Sequence, residues 1–317
     1  MKKIYIKFVD YWKNHHLEED ILYRWLCTHY DVELSDNPDY IIYSCFGYEH
    51  LKYDCIRIFY TGENVAPNFN ECDYAISFEK IEFEDRHICM PNFFKYKREI
   101  SMIANRTNKL KEDVLQRKFC CFVVSNGNAD SIRQEAFEKL NEYKKVDSGG
   151  RFMNNIGGPV EDKLGFQANY KFALAFENSA HKGYTTEKIL QAFASGVVPI
   201  YWGDPNVCDY FNREAFINIG DFTSLDEAIE YIRFVDSNDN NYLSMLQSNV
   251  WSKDYIYENK MKELDVFLKN IFEQDYYSAY RRNNSNLSKQ YEKNIIEWTS
   301  VKNSRKSILG RLLNIKR

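Results

Sequence analysis

The segment Phe176–Lys188, FENSAHKGYTTEK, concentrates residue types that can hold a phosphorylated ligand. A short apolar run, Phe172–Phe176, stops at Glu177–Asn178–Ser179. A loop containing Gly183 follows, and helical spacing begins at Thr185–Lys188. Strand end, loop and helix start together make an anion site, because free N–H groups and the positive end of the helix dipole converge there. Asn178, Ser179, Tyr184 and Thr185 can hydrogen-bond phosphate oxygens. Lys188 can set an ammonium on them, and Glu187 can accept from a ribose or sugar hydroxyl. By pattern alone, an ordinary βαβ unit with a capped helix accounts for the same residues.

The surrounding elements read as alternating strands and helices. Lys2–Asp10 (KKIYIKFVD) is a β-branched and aromatic run that predicts an opening strand. His16–Tyr30 has apolar residues at helical spacing. Tyr40–Ser44, Arg57–Tyr60 and Tyr74–Phe78 are short buried-type strands. Lys95–Arg117 is charge-dense and predicts a helical linker or domain boundary. The pattern restarts with Lys118–Ser125 (KFCCFVVS), a strand apolar on both faces, then a helix over Ser131–Tyr143. Strand Phe172–Phe176, helix Thr186–Ser195 and strand Val197–Trp202 form a second unit, and Ser224 caps a further helix. The expected organisation is α/β, with 1–115 as one domain (linker from about 95), 116–275 as a second, and 276–317 as an extension.

Composition narrows the function. The 42 basic and 46 acidic side chains give a formal charge of −4, which argues against nucleic acid as a partner. The eight cysteines include no C-x-x-C pair, so they read as reduced packing residues rather than a zinc or redox motif. No run reaches membrane-spanning length. The expected location is cytoplasmic. Val301–Arg317 is different: it carries six basic residues and no acidic one, with Ile308, Leu309, Leu312, Leu313 and Ile315 roughly on one helical face. It reads either as a basic amphipathic helix touching an anionic membrane surface, peripheral on the inner face of the cytoplasmic membrane, or as a solvated tail.

Taken in order, Phe176–Lys188, Val198–Gly203 (VPIYWG) and Pro205 resemble the donor-binding signature of the α-1,3/α-1,4-fucosyltransferases, glycosyltransferase family ten. Tyr60–Asn64 (YTGEN), Pro67–Phe69 and Asp73–Phe78 resemble the N-terminal block of bacterial members, and Ser125–Phe137 the first block of the donor domain. The resemblance covers roughly residues 55–275.

That resemblance implies a GT-B architecture, two Rossmann-like domains facing across a central cleft. It implies an inverting enzyme that moves L-fucose from GDP-β-L-fucose to the 3-hydroxyl of GlcNAc in N-acetyllactosamine-type glycans, making Lewis-type structures. The motif match places Arg133, Asn178, Tyr184, Glu187 and Lys188 at donor-contacting positions and Glu63 at the position of the general base. A carboxylate opposite the leaving group suits an inverting transfer, and fixed cations suit the charge gathering on GDP. By pattern alone Glu63 is a surface carboxylate in a tight turn, and Arg133 a helix-surface charge. No D-x-D is present, so no resident metal is expected, a divalent ion being at most stimulatory. His181 reads as a loop residue, and Asp73 as closing a turn. The alternatives are a catalytically silent nucleotide-sugar or glycan-binding module of the same fold, or a related transferase with a different donor or acceptor.

Overall fold

A computed structural model describes residues 1–104 and 114–314, and side chains through residue 300. By compactness the chain divides into two units. The first holds Met1–Ser77, Ile81–Met90 and Lys262–Arg317; the second holds Phe78–Lys80 and Pro91–Met261.

The first unit contains six parallel strands: β1 (Lys3–Val9), β2 (Asp31–Leu34), β3 (Tyr40–Tyr43), β4 (Ile56–Tyr60), β5 (Tyr74–Ser77) and β6 (His87–Cys89), in the order β2-β1-β3-β4-β5-β6. Every residue of β3, β4 and β5 is buried, as continuous apolar runs require of strands covered on both faces. Helix α1 (Ile21–His29) starts later than the apolar spacing suggests. The Asp20 carboxylate accepts the amides of Leu22 and Tyr23, and this cap separates α1 from a 3₁₀ turn at Leu17–Glu19. Strand β2 was not anticipated. It is an edge strand whose side chains are mostly exposed, so DVEL carries no apolar signal.

The second unit has α2 (Lys97–Ala104), β7 (Lys118–Phe122), α3 (Ile132–Tyr143), β8 (Val146–Ser148), α4 (Lys163–Gln167), β9 (Tyr170–Phe176), α5 (Glu187–Ala194), β10 (Val198–Trp202), β11 (Ile217–Asn218), α6 (Leu225–Ser237) and α7 (Asp239–Gln247). Its parallel sheet runs β11-β10-β9-β7-β8, which puts fully buried β9 at the centre. The charge-dense segment expected as a linker is helical at α2, but Ile100 and Ile103 are core residues packed with Ile189 and Phe193 of α5. Residues 105–113 of that segment lie outside the described residues. Ser224 caps α6 as expected, accepting the Glu227 amide at 3.2 Å.

Helix α8 (Tyr257–Glu273) begins in the second unit and belongs to the first from Lys262; α9 (Tyr276–Ala279) and α10 (Asn286–Asn314) follow. Phe272 packs its ring on Trp25, Tyr30 and Tyr40. Asp73, fully buried, does more than close a turn. Its carboxylate accepts the amides of Arg57 at 2.7 Å and of Arg281 and Arg282 at 2.8 Å each. Arg282 Nη1 also lies 2.9 Å from it, an ion pair out of hydrogen-bond line. One carboxylate thus fastens the stretch after α9 to β4 and β5. The apolar stripe of Val301–Arg317 lies outside the described side chains.

Candidate functional site

Strand β9 ends at Phe176, and the next residue is a carboxylate with no exposure to water. The Glu177 amide donates to Trp202 O at 2.8 Å, extending the β9–β10 pairing by one residue. Its side chain accepts from the Thr186 amide at 2.8 Å, the Thr186 hydroxyl at 2.7 Å and Lys188 Nζ at 2.9 Å. Burial pushes the Glu177 carboxyl above the ordinary carboxylate range, against the pull of Lys188. The space it occupies exists because residue 203 is glycine. Gly203 has φ +150°, and a Cβ there would stand 2.5 Å from Glu177 Cγ.

A second buried carboxylate fixes the middle of the loop. Asp204 accepts from the amide of Gly183 at 2.8 Å, the hydroxyl of Thr185 at 2.7 Å and the amide of Asn206 at 2.8 Å. Gly183 sits at φ +83° with Phe78 O so close that a Cβ would meet it at 2.5 Å. Hydrogen bonds to charged groups contribute about 1.5–3 kcal/mol each, so the Gly183–Lys188 stretch is held rigidly from both sides. The Thr186 side chain makes no cap bond to α5, since its hydroxyl is committed to Glu177. First-turn N–H groups are left to other acceptors, the carboxylate of Glu187 among them.

Arg133, in the first turn of α3, is buried rather than on the helix surface. Its guanidinium donates to Asn126 O and Phe176 O at 3.0 Å each and to Asn178 Oδ1 at 2.7 Å, while Nε has no partner among the described residues. Burial draws its pKa below the ordinary arginine value. Arg133 and Asn178 are therefore brought into direct contact. Ser179 is half-buried beside them in the chain. Tyr184 is buried and meets Phe78 edge-on, with ring centroids 5.3 Å apart. Thr185 has its hydroxyl engaged by Asp204.

Lys188 keeps 15% of its side chain exposed beside the fully buried Glu177. Burial alone would lower its pKa, but Glu177 and Glu187 outweigh this and raise it. Glu187 is pushed up by burial and pulled further down by Lys188 and Lys163, ending below the usual carboxylate range. Arg133, Lys163 and Lys188 thus gather three cations around the carboxylates of Glu177, Glu187 and the loop-bound Asp204. Lys163 opens α4, and burial lowers its pKa. Sequence reasoning missed Lys163, Asp204 and the structural role of Glu177. Lys163 left no signal, while a carboxylate directly after an apolar strand and the G-D-P turn after β10 were the available ones.

Glu63 belongs to the first unit, just beyond the end of β4. Its amide donates to the hydroxyl of buried Thr61 at 3.2 Å, and its carbonyl accepts from Val65 at 2.8 Å, which makes the tight turn. The Glu63 side chain is exposed. His181, exposed in the loop, pairs with Glu79 at 2.8 Å. All eight cysteines are free thiols. Among the described residues no helix is long and apolar enough to cross a membrane.

Two parallel α/β sheets, one ending in a rigid cation-bearing loop, are the build of the GT-B type glycosyltransferases. Residues 6–96 match the family model of the Alpha-(1,3)-fucosyltransferase FucT N-terminal domain, and residues 114–295 match that of the glycosyltransferase family 10 (fucosyltransferase) C-terminal region. The chain belongs to glycosyltransferase family 10. It is 35% identical to Alpha-(1,3)-fucosyltransferase FucT of Helicobacter pylori over 85% of this chain and 66% of that one. It is also 35% identical to mouse 4-galactosyl-N-acetylglucosaminide 3-alpha-L-fucosyltransferase 9, over 44% of this chain and 38% of the relative. It therefore spans less than two thirds of the length of either curated relative. A crystal structure of an alpha1,3-fucosyltransferase superposes with a TM-score of 0.80 at 32% identity, covering 90% of this chain and 93% of that one. A crystal structure of alpha1,3-fucosyltransferase with GDP-fucose superposes with a TM-score of 0.73 at 29% identity, covering 90% of this chain and 94% of that one.

Proposed function

We propose that the protein is an inverting fucosyltransferase, carrying L-fucose from GDP-β-L-fucose to the 3-hydroxyl of GlcNAc in N-acetyllactosamine-type glycans. The observation that carries this reading is the loop Gly183–Lys188, locked by Glu177 and Asp204, with Lys188 and Arg133 as its cations. The similarity to a structure described with GDP-fucose supports the donor, and the mouse relative's name supports the acceptor and the position.

In this reading the second unit holds the donor and the first holds the acceptor. The acceptor oxygen attacks the anomeric carbon of fucose on the face opposite the phosphate. As that bond forms, the bond to the β-phosphate oxygen breaks and GDP leaves with the electron pair. Glu63 takes the hydroxyl proton as general base. Charge gathering on the diphosphate is met by Lys188, Arg133 and the start of α5, which act most strongly where charge develops. Asn178, Ser179 and Tyr184 orient the donor, Glu187 accepts from the ribose, and Thr185 contributes through the loop backbone. No resident metal is required, since these cations occupy that role. The enzyme works in the cytoplasm, with Val301–Arg317 resting on anionic lipid. NMR of the product tests the reaction: an α-linked fucose on GlcNAc O3 is expected, and a β linkage or another acceptor position overturns the assignment.

A further inference from the structure

The second unit has an open cavity of about 490 Å³ beside edge strand β11, lined by residues of β11, the turns on either side of it, α6 and α7, and by none of the loop residues described above. That volume lies within the roughly 300–1,000 Å³ of small-molecule sites. One part of the lining is aromatic. Phe222, Tyr231 and Phe234 form a continuous cluster, with ring centroids 5.3 and 6.2 Å apart. Tyr231 and Phe234 remain 39% and 52% exposed although Ile232 and Val235, on the other side of α6, are core. Large rings left in water at a cavity mark a surface meant for a ligand with an apolar face.

The rest of the lining is polar and prepared. Asp221 is oriented from two sides, by Arg213 Nε at 3.1 Å and by Asn218 Nδ2, which donates to Oδ1 at 3.0 Å. Asn241 and Ser244, one turn apart on α7, make no side-chain hydrogen bond among the described residues. An anionic ligand does not fit, because Arg213 is the one basic lining residue against Glu214 and Asp221. A purely apolar ligand would strip water from Asp221 and Asn241 without replacing it. A pyranose answers both halves. Its C–H face covers an aromatic ring, and its neighbouring hydroxyls pair with a carboxylate, an amide and a hydroxyl.

We propose that this cavity is a second carbohydrate site, binding a short stretch of a neutral oligosaccharide. It requires a glycan and no particular transfer reaction. The test uses the full chain saturated with GDP and two probes, a hexasaccharide of three N-acetyllactosamine units and maltohexaose, with affinity measured by calorimetry. Tyr231→Ala and Phe234→Ala, both surface changes, should each weaken binding of at least one probe about tenfold, or about 1.4 kcal/mol. GDP affinity and transfer to a lactosamine disaccharide should be unaltered. Asn241→Leu should weaken binding as well. Binding that survives all three substitutions, or is absent from the unmodified protein, overturns the site. Tyr231-dependent binding in a protein that transfers no fucose supports the site and counts only against the acceptor assignment.

Discussion

Lys188 Nζ lies 2.9 Å from Glu177 Oε2, an ion pair in which the carboxylate is fully buried and the ammonium nearly so. The pair joins the end of β9 to the first turn of α5 and fixes a cation at the loop. Its geometry is completed by Thr186, whose hydroxyl stands 3.0 Å from the same ammonium. Breaking one side of such a pair leaves an uncompensated buried charge, which costs about 3–5 kcal/mol.

Glu177→Gln should therefore destabilise the protein by about 3 kcal/mol, read from urea unfolding. GDP affinity should fall with it, since Lys188 loses its anchor. Full stability in the variant would show that the carboxylate is not holding the loop.

Lys188→Ala should weaken GDP binding by at least tenfold and lower kcat/KM together, because an interaction of about 1.4 kcal/mol or more with the diphosphate is lost. Calorimetry at a temperature where the variant remains folded separates this from unfolding. Unaltered GDP affinity would exclude Lys188 from the diphosphate.

Glu63→Gln should cut kcat by about 10²–10⁴, the range of general-base contributions, with GDP affinity unchanged. The side chain is exposed and its turn is built by backbone and Thr61, so folding should be unaffected. A large loss of GDP binding would instead place Glu63 at the donor.

His50 is buried with Nδ1 2.6 Å from Asp10 and Nε2 3.2 Å from Glu71, its ring stacked on Tyr43. Asp10, at φ +59°, also accepts the amides of Glu49 and His50. Burial lowers the imidazole pKa, but Asp10 and then Glu71 outweigh it and raise the pKa above 6.5. A raised folded-state pKa gives stability that is fully present below about 6.5 and is lost as pH climbs through the folded value. The destabilisation caused by His50→Gln should thus be largest near pH 5.5 and shrink toward pH 8.5. A penalty independent of pH would show that folding leaves the His50 pKa unchanged, and one that grows with pH would show that burial holds the imidazole neutral.

The strands were legible because both sheets are parallel and covered: YIIY, KFCCF and YKFALAF have no polar face to disguise them. Edge strand β2 was not, since an edge in water needs no apolar residues. Resemblance, not periodicity, singled out Arg133, whose burial depends on Asn126, Phe176 and Asn178 converging from separate parts of the chain. Phe176–Lys188 announced a loop between strand and helix. What holds that loop was hidden, because Asp204 lies 19 residues from the Thr185 it binds. Nor did apolar spacing mark the start of α10, where polar residues dominate from Asn286 onward.

The proposed task of this loop is to hold a GDP leaving group during transfer to a glycan. GDP release should be measured with GDP-fucose and a panel of type 1 and type 2 lactosamine acceptors, each supplied alone and together. Stoichiometric release and fucosylated product are expected only when donor and acceptor are both present. Tight GDP-fucose binding with no acceptor-dependent release on any member of the panel would contradict that role.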